Sequence, residues 1–158
     1  MNKAAKDDSF WNSGAEDWAQ NVRAGKDVFR NLYSLPAFLG FIGELRGKKV
    51  LDVGCGEGYN TRIFAQQGAR AVGVDLSKEM IRLAQEEERK TNLGIQYFNA
   101  SWTDLSLLKD EFDVVLSTLA LMDGPGYEEA LREMYRALKP GGEEEEAPEP
   151  EEGEEEET

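Results

Sequence analysis

The chain has 158 residues, enough for one domain with a core of moderate size. Its formal charge of −14 is concentrated at one end. Residues 143–158 hold 11 glutamates and no basic residue, whereas 1–142 carry 21 acidic and 18 basic residues, a net of −3. A body so nearly balanced offers no basic footprint for nucleic acid.

A single cysteine excludes an intramolecular disulfide, and the absence of histidine removes the commonest general base. No apolar run approaches the ~20 residues that a membrane span requires. The polar opening MNKAAKDDSF lacks the apolar run of a signal peptide, so a cytoplasmic protein is expected.

Residues 10–45 read as helical. Asn12 or Ser13 is placed to cap a helix that carries Trp18 and Val22. A second helix starts near Asp27, with Val28, Phe29, Leu32 and Tyr33 on one face. Pro36 divides it from Phe38, Leu39, Phe41 and Ile42, and Gly47 ends the pattern.

The period then changes. KKVLDVG reads as a strand, TRIFAQQG as a helix ended by Gly68, and ARAVGVD as a second strand. Ser77 is a good N-cap for the helix KEMIRLAQEEERKT. IQYFNA and EFDVVLST are further strands, and GYEEALREMYRALK is a helix stopped by Pro140 and two glycines. Strands alternating with helices predict an α/β fold, a parallel sheet with helices on both faces. The resulting division is a helical lead-in or lid over 1–46, a core over 47–142 and an acidic tail over 143–158. Like charges at the tail's density repel, so it is expected to be disordered.

The chemistry is concentrated in Val50-Leu51-Asp52-Val53-Gly54-Cys55-Gly56-Glu57-Gly58-Tyr59-Asn60. A buried strand ends in a glycine loop that opens a helix, so the backbone can turn sharply and approach a ligand. The helix start near Asn60 offers N–H groups and partial positive charge to a carboxylate. Asp52, just before the glycines, is placed to face an ammonium or sulfonium. Asp75 ends the next strand at a place where an acid accepts hydrogen bonds from ribose hydroxyls.

A dinucleotide fingerprint would read G-x-G-x-x-G. From Gly54 the third glycine is replaced by Tyr59, and from Gly56 by Thr61, so the spacing favours a nucleoside over a pyrophosphate.

VLDVGCGEGYNTR, VGVDLS, FNASWTDLS, FDVVLSTLALMD and LREMYRALKPGG resemble successive motifs of class I S-adenosylmethionine-dependent methyltransferases. FWNSGAEDWAQ resembles the lead-in of a bacterial subgroup, so the similarity covers residues 10–142. The resemblance implies a Rossmann-like sheet in the order 3-2-1-4-5-7-6 with S-adenosylmethionine above strands 1, 2 and 4.

It further implies that Asp52 and the run Gly54, Cys55, Gly56, Glu57 and Gly58 surround the methionine moiety, that Tyr59 also binds the cofactor, and that Asp75 holds the ribose. Leu76 and Met80 would pack on the adenine, with Ser101 and Trp102 at its edge. Ser117, Thr118 and Leu119 would lie beside the reactive methyl.

In that family K-P-G-G leads into a fifth strand, whereas here glutamates follow, so about four of the usual seven strands are expected. A fourth strand without its neighbour would expose a hydrogen-bonding edge at Val114, Val115 and Leu116 that invites self-association. Two functional readings follow. One is a methyltransferase acting on an unidentified small-molecule or protein acceptor. The other is a catalytically dead cofactor-binding or interaction remnant.

Several residues carry a plainer reading as well. Trp11, Trp18, Phe29 and Tyr33 suit either a lid or a core. Cys55 reads as a space-filling residue of the loop, since nothing nearby activates a thiol. Glu86, Glu87 and Glu88 read as a solvated helix face, and Asp104 and Asp123 as turn caps. No cluster has metal-ligand spacing.

Overall fold

The computed structural model describes residues 4–109, 111–121 and 124–140, with side chains from residue 10 onward. The acidic tail and Asp123 lie outside this range. Four strands form one parallel sheet in the order β3-β2-β1-β4: β1 Lys49–Val53, β2 Arg70–Asp75, β3 Gln96–Asn99 and β4 Val114–Leu116. This is the expected α/β arrangement, and the order agrees with the 3-2-1-4 portion of the expected sheet. The helices are α1 Ala4–Arg23, α2 Leu35–Ile42, α3 Tyr59–Gln66, α4 Lys78–Thr91 and α5 Tyr127–Ala137.

Side chains alternate across the sheet, and both faces are covered. Leu51, Val53, Val72 and Val74 meet Leu105, Phe112 and Ala137 on one face. On the other, Val50 and Leu116 meet Leu45 and Phe64, and Ala71 packs against Ile81 and Ala84 of α4. Burial on both sides accounts for the near-continuous apolar character of β1 and β2.

Three helical expectations change. First, α1 runs through Asn12 and Ser13, so neither residue caps it. Asn12 Oδ1 instead accepts from Ser77 Oγ at 2.7 Å and Glu79 N at 3.3 Å, capping α4 from a neighbouring helix. Ala15 and Ala19 pack on Met80 and Leu83, so α1 is docked on α4 over much of its length.

Second, Pro36 does not split the second helix. A π-helical turn, Arg30–Ser34, runs directly into α2, and Leu35 N bonds to Arg30 O. Proline lacks the donor that an α-helical bond to residue 32 would need, and it sits near the start of α2, where no such donor is required. Third, α5 ends at Ala137. Leu138 turns extended and bridges to Phe112, with Lys139 N bonding to Phe112 O.

That bridge covers the entry to β4. Beyond it, β4 pairs only with β1 among the described residues. The strand is better buried than an open edge suggests, because Val114 and Val115 pack into the clusters on opposite faces and Leu116 is buried. Glu86, Glu87 and Glu88 are half-buried and paired rather than simply solvated. Glu86 meets Arg82, Glu87 meets Arg23 and Lys90, and Glu88 accepts from Gly94 N and Ile95 N.

Candidate functional site: a nucleoside-sized cavity at the carboxyl ends of the strands

The three glycines after β1 serve different purposes. A Cβ on Gly54 would stand 2.3 Å from the Ala120 Cβ, so Gly54 lets the segment after β4 close against the turn. A Cβ on Gly58 would stand 2.3 Å from the Tyr97 hydroxyl, making that glycine a packing requirement. Gly56 has φ +56°, and a Cβ there would meet no protein atom within 4 Å. It opens onto empty space.

That space is a cavity of about 390 Å³ at the carboxyl ends of β1, β2 and β4. In open α/β sheets this is where ligands bind, at the point where strand order reverses. Its floor is Gly54, Cys55 and Gly56, with Tyr59 and Asn60 from the first turn of α3. Asp75, Leu76 and Met80 form one wall, Ser101 and Trp102 a second, and Thr118 and Leu119 a third. Ten of the thirteen cofactor residues expected from sequence therefore surround one cavity.

Asp52, Gly58 and Ser117 are not on its wall. Asp52 lies one layer behind the glycine turn, 1% exposed, with Oδ2 accepting from Thr61 Oγ1 at 2.7 Å. Burial pushes its carboxyl up to about 7; the Asp75 charge adds to that, while the Thr61 bond and Arg30 oppose it. Its position does not place it against a ligand's ammonium. Ser117 faces a neighbouring hollow.

Asp75 holds the loop in shape. Oδ2 accepts from Gly56 N at 2.9 Å, and Oδ1 accepts from Ser77 N at 2.8 Å. Cys55 is a poor nucleophile: burial, then Asp75 and Asp52, push its thiol well above the ordinary range.

The aromatic candidates divide. Trp11 and Trp18 line the cavity, whereas Phe29 and Tyr33 are exposed and stack on each other at 6.0 Å. All three tryptophans of the chain, Trp11, Trp18 and Trp102, lie on the cavity wall. Asp104 does cap a turn, accepting from Ser106.

The roles of two groups were not anticipated. Glu57, 2% exposed, accepts from Arg62 Nη2 at 2.9 Å and from Arg23 Nε at 2.8 Å, tying the glycine turn to α3 and α1. An acid between two glycines with an arginine five residues on was the available signal. Arg30 starts the π turn and roofs the cavity, its guanidinium 5.4 Å from the Trp18 ring and 5.9 Å from the Tyr59 ring. Nothing local in sequence marks it. No acidic or cysteine cluster suited to a metal occurs among the described residues.

A parallel sheet with a glycine turn after β1, an acid ending β2 and a cavity above both defines a Rossmann-like nucleoside-binding domain. The chain belongs to the methyltransferase domain family, whose model matches residues 50–142.

It is similar to the ubiquinone biosynthesis O-methyltransferase of Pseudomonas entomophila, at 35% identity over 62% of this chain and 43% of that protein. Among solved structures it is similar to the S-adenosylmethionine-dependent methyltransferase of Mesorhizobium loti, at 35% identity and a TM-score of 0.60, covering 68% of this chain and 48% of that one. The [4+2]-cyclase SpnF shares the fold at 26% identity and a TM-score of 0.60, over 67% of this chain and 42% of its own. The chain thus spans less than half the length of these relatives. S-adenosylmethionine is the cofactor of this methyltransferase class. Among the described residues no helix is long and apolar enough to cross a membrane.

Proposed function

We propose that this chain binds S-adenosylmethionine in the 390 Å³ cavity and serves a cytoplasmic methyltransferase acting on a small-molecule or protein acceptor. One observation carries the reading: Gly56, where a side chain would meet only open space, stands beside Asp75 on the cavity wall. The room a side chain would take there suits a hydroxylated sugar.

Bound there, S-adenosylmethionine would supply an electrophilic methyl to a lone pair of the acceptor. The protein's contribution is alignment and exclusion of water, which needs no histidine. Asp75 would hold the ribose, and Leu76 and Met80 would flank the adenine. Gly54, Cys55, Tyr59 and Asn60 would lie along the methionine. Trp11, Trp18 and Arg30 close the cavity from above.

The test is titration with S-adenosylhomocysteine followed by intrinsic fluorescence, since every tryptophan faces the site. Wild type should show saturable change, Asp75→Ala should bind about 10–100-fold more weakly, and NAD should give none. Preference for NAD, or full affinity in Asp75→Ala, overturns the proposal. The likeness to the [4+2]-cyclase SpnF favours a second reading, a domain without methyl transfer that self-associates through the edge of β4; methyl-release assays and size-exclusion chromatography separate the two.

A further inference from the structure

The roof of the cavity is built from two pieces that meet at a corner. Trp11 and Trp18 come from α1, whereas Asp27 and Arg30 come from the segment that follows it. Between them the chain turns at Gly25, φ +71°, just beyond the end of α1. Arg23 is the last residue of α1 and stands at that corner.

Its guanidinium reaches both the glycine turn and α4. Nε donates to Glu57 Oε2 at 2.8 Å, Nη2 donates to Leu83 O at 3.3 Å, and Nη1 lies 3.4 Å from Glu87 Oε2. Glu57 sits between Gly56 and Gly58 and lines the cavity, and Leu83 and Glu87 belong to α4. One side chain therefore ties the corner of the roof to the floor. Arg30 rests over Trp18 at 5.4 Å, so the position of that corner sets both roof pieces.

Charge balance does not account for the bond to Glu57. Arg62 Nη2 lies 2.9 and 3.0 Å from the two carboxylate oxygens of Glu57, and Arg62 Nη1 donates to its carbonyl at 2.8 Å. Glu57 is neutralised and its backbone held without Arg23, and Glu87 keeps Lys90 at 3.3 Å. Elsewhere on α1, Glu16 meets Arg82 of α4 at 2.7 Å, a link that fastens the same helix without touching the glycine turn.

We propose that Arg23 is a positioning residue for cofactor binding: it seats the roof on the glycine turn, keeps Trp18 and Arg30 over the cavity and slows the cofactor's departure. The assignment rests on the cofactor reading above. Arginine suits the task because its planar fork spans several acceptors at fixed angles, where lysine offers a point charge. A roof seated for only part of the time lowers the apparent affinity by that fraction, and such changes fall mainly on the dissociation rate.

Two measurements on the full chain test this: stopped-flow release of S-adenosylhomocysteine, and acrylamide quenching of the tryptophans without ligand. Arg23→Met keeps the aliphatic stem and loses the polar contacts. Release should quicken by about tenfold, and the tryptophans should quench more readily. The melting temperature should fall by less than about 5 °C, because Glu57 and Glu87 keep their other partners. Arg82→Met removes a cation and a link between α1 and α4 but leaves the turn alone. It should release S-adenosylhomocysteine within about twofold of the wild-type rate.

Where wild type binds, an unchanged release rate or unchanged quenching in Arg23→Met overturns the proposal. Equal acceleration in Arg82→Met also overturns it, since any fastening of α1 would then suffice. A larger fall in melting temperature does the same, by making Arg23 a support of the whole fold. If wild type fails to bind S-adenosylhomocysteine while Arg23→Met still quenches more readily, the cofactor reading falls and Arg23 remains the residue that seats the roof. Failure to bind with unchanged quenching removes both.

Discussion

Asp52 makes the stability of this domain depend on pH in a direction opposite to most carboxylates. Its side chain is 1% exposed, and one oxygen has no hydrogen-bond partner among the described residues. Burial raises the carboxyl from 3.8 to about 7. Between those values the native chain keeps a proton that the unfolded chain has lost, so stability falls as pH rises. A gap of about 3 units at ~1.36 kcal/mol each gives roughly 4 kcal/mol, present below pH ~4 and lost by pH ~7.

Against a typical domain stability of 5–15 kcal/mol that is a large share. Asp113, whose carboxyl is held below its usual range by Lys49 N and Lys139, works in the other direction and destabilises in acid. The comparison that isolates Asp52 is therefore Asp52→Asn, a neutral isostere, with both proteins unfolded by urea at intervals from pH 4 to 8. The wild type's stability relative to the variant should fall by about 4 kcal/mol across that range. Parallel pH profiles for the two proteins would refute the reasoning, because they would mean that Asp52 is ionised or neutral equally in both states.

Two other perturbations have definite expectations. Gly56→Ala places a side chain at φ +56°, costing about 1–2 kcal/mol in urea unfolding. Its methyl enters the cavity, so S-adenosylhomocysteine affinity should fall by more than the loss of stability implies; unchanged affinity contradicts the proposed cradle. Glu57→Ala leaves Arg62, only 8% exposed, as an unpaired buried charge. A loss of about 3–5 kcal/mol is expected by thermal or urea unfolding, and a loss below about 1 would show that the pair contributes little.

The local alternation of this chain was readable because each element announces itself over a few residues. β1 and β2 are apolar runs with glycine punctuation, and Ser77 starts α4 as a cap whose Oγ accepts from Met80 N. Asp75 and the glycine turn were legible for the same reason: a strand, a turn and a helix start are contiguous. Asn12 was misread because its partner is 65 residues away, and an unsatisfied helix start can be met by any nearby acceptor.

The amino-acid order by itself determined the parallel α/β class, the strands' inward faces and the glycine turn on which the cavity opens. These follow from hydrophobic period and from where a backbone can bend. Only the tertiary structure decided which residues meet across that turn. Packing set Asp52 behind the wall rather than on it, brought Arg30 over Trp18 and Tyr59, joined Glu57 to Arg23 and Arg62, and placed Ser117 and Asn60 around a second hollow. Such contacts join positions distant in the chain, and their energies depend on burial that no local pattern encodes.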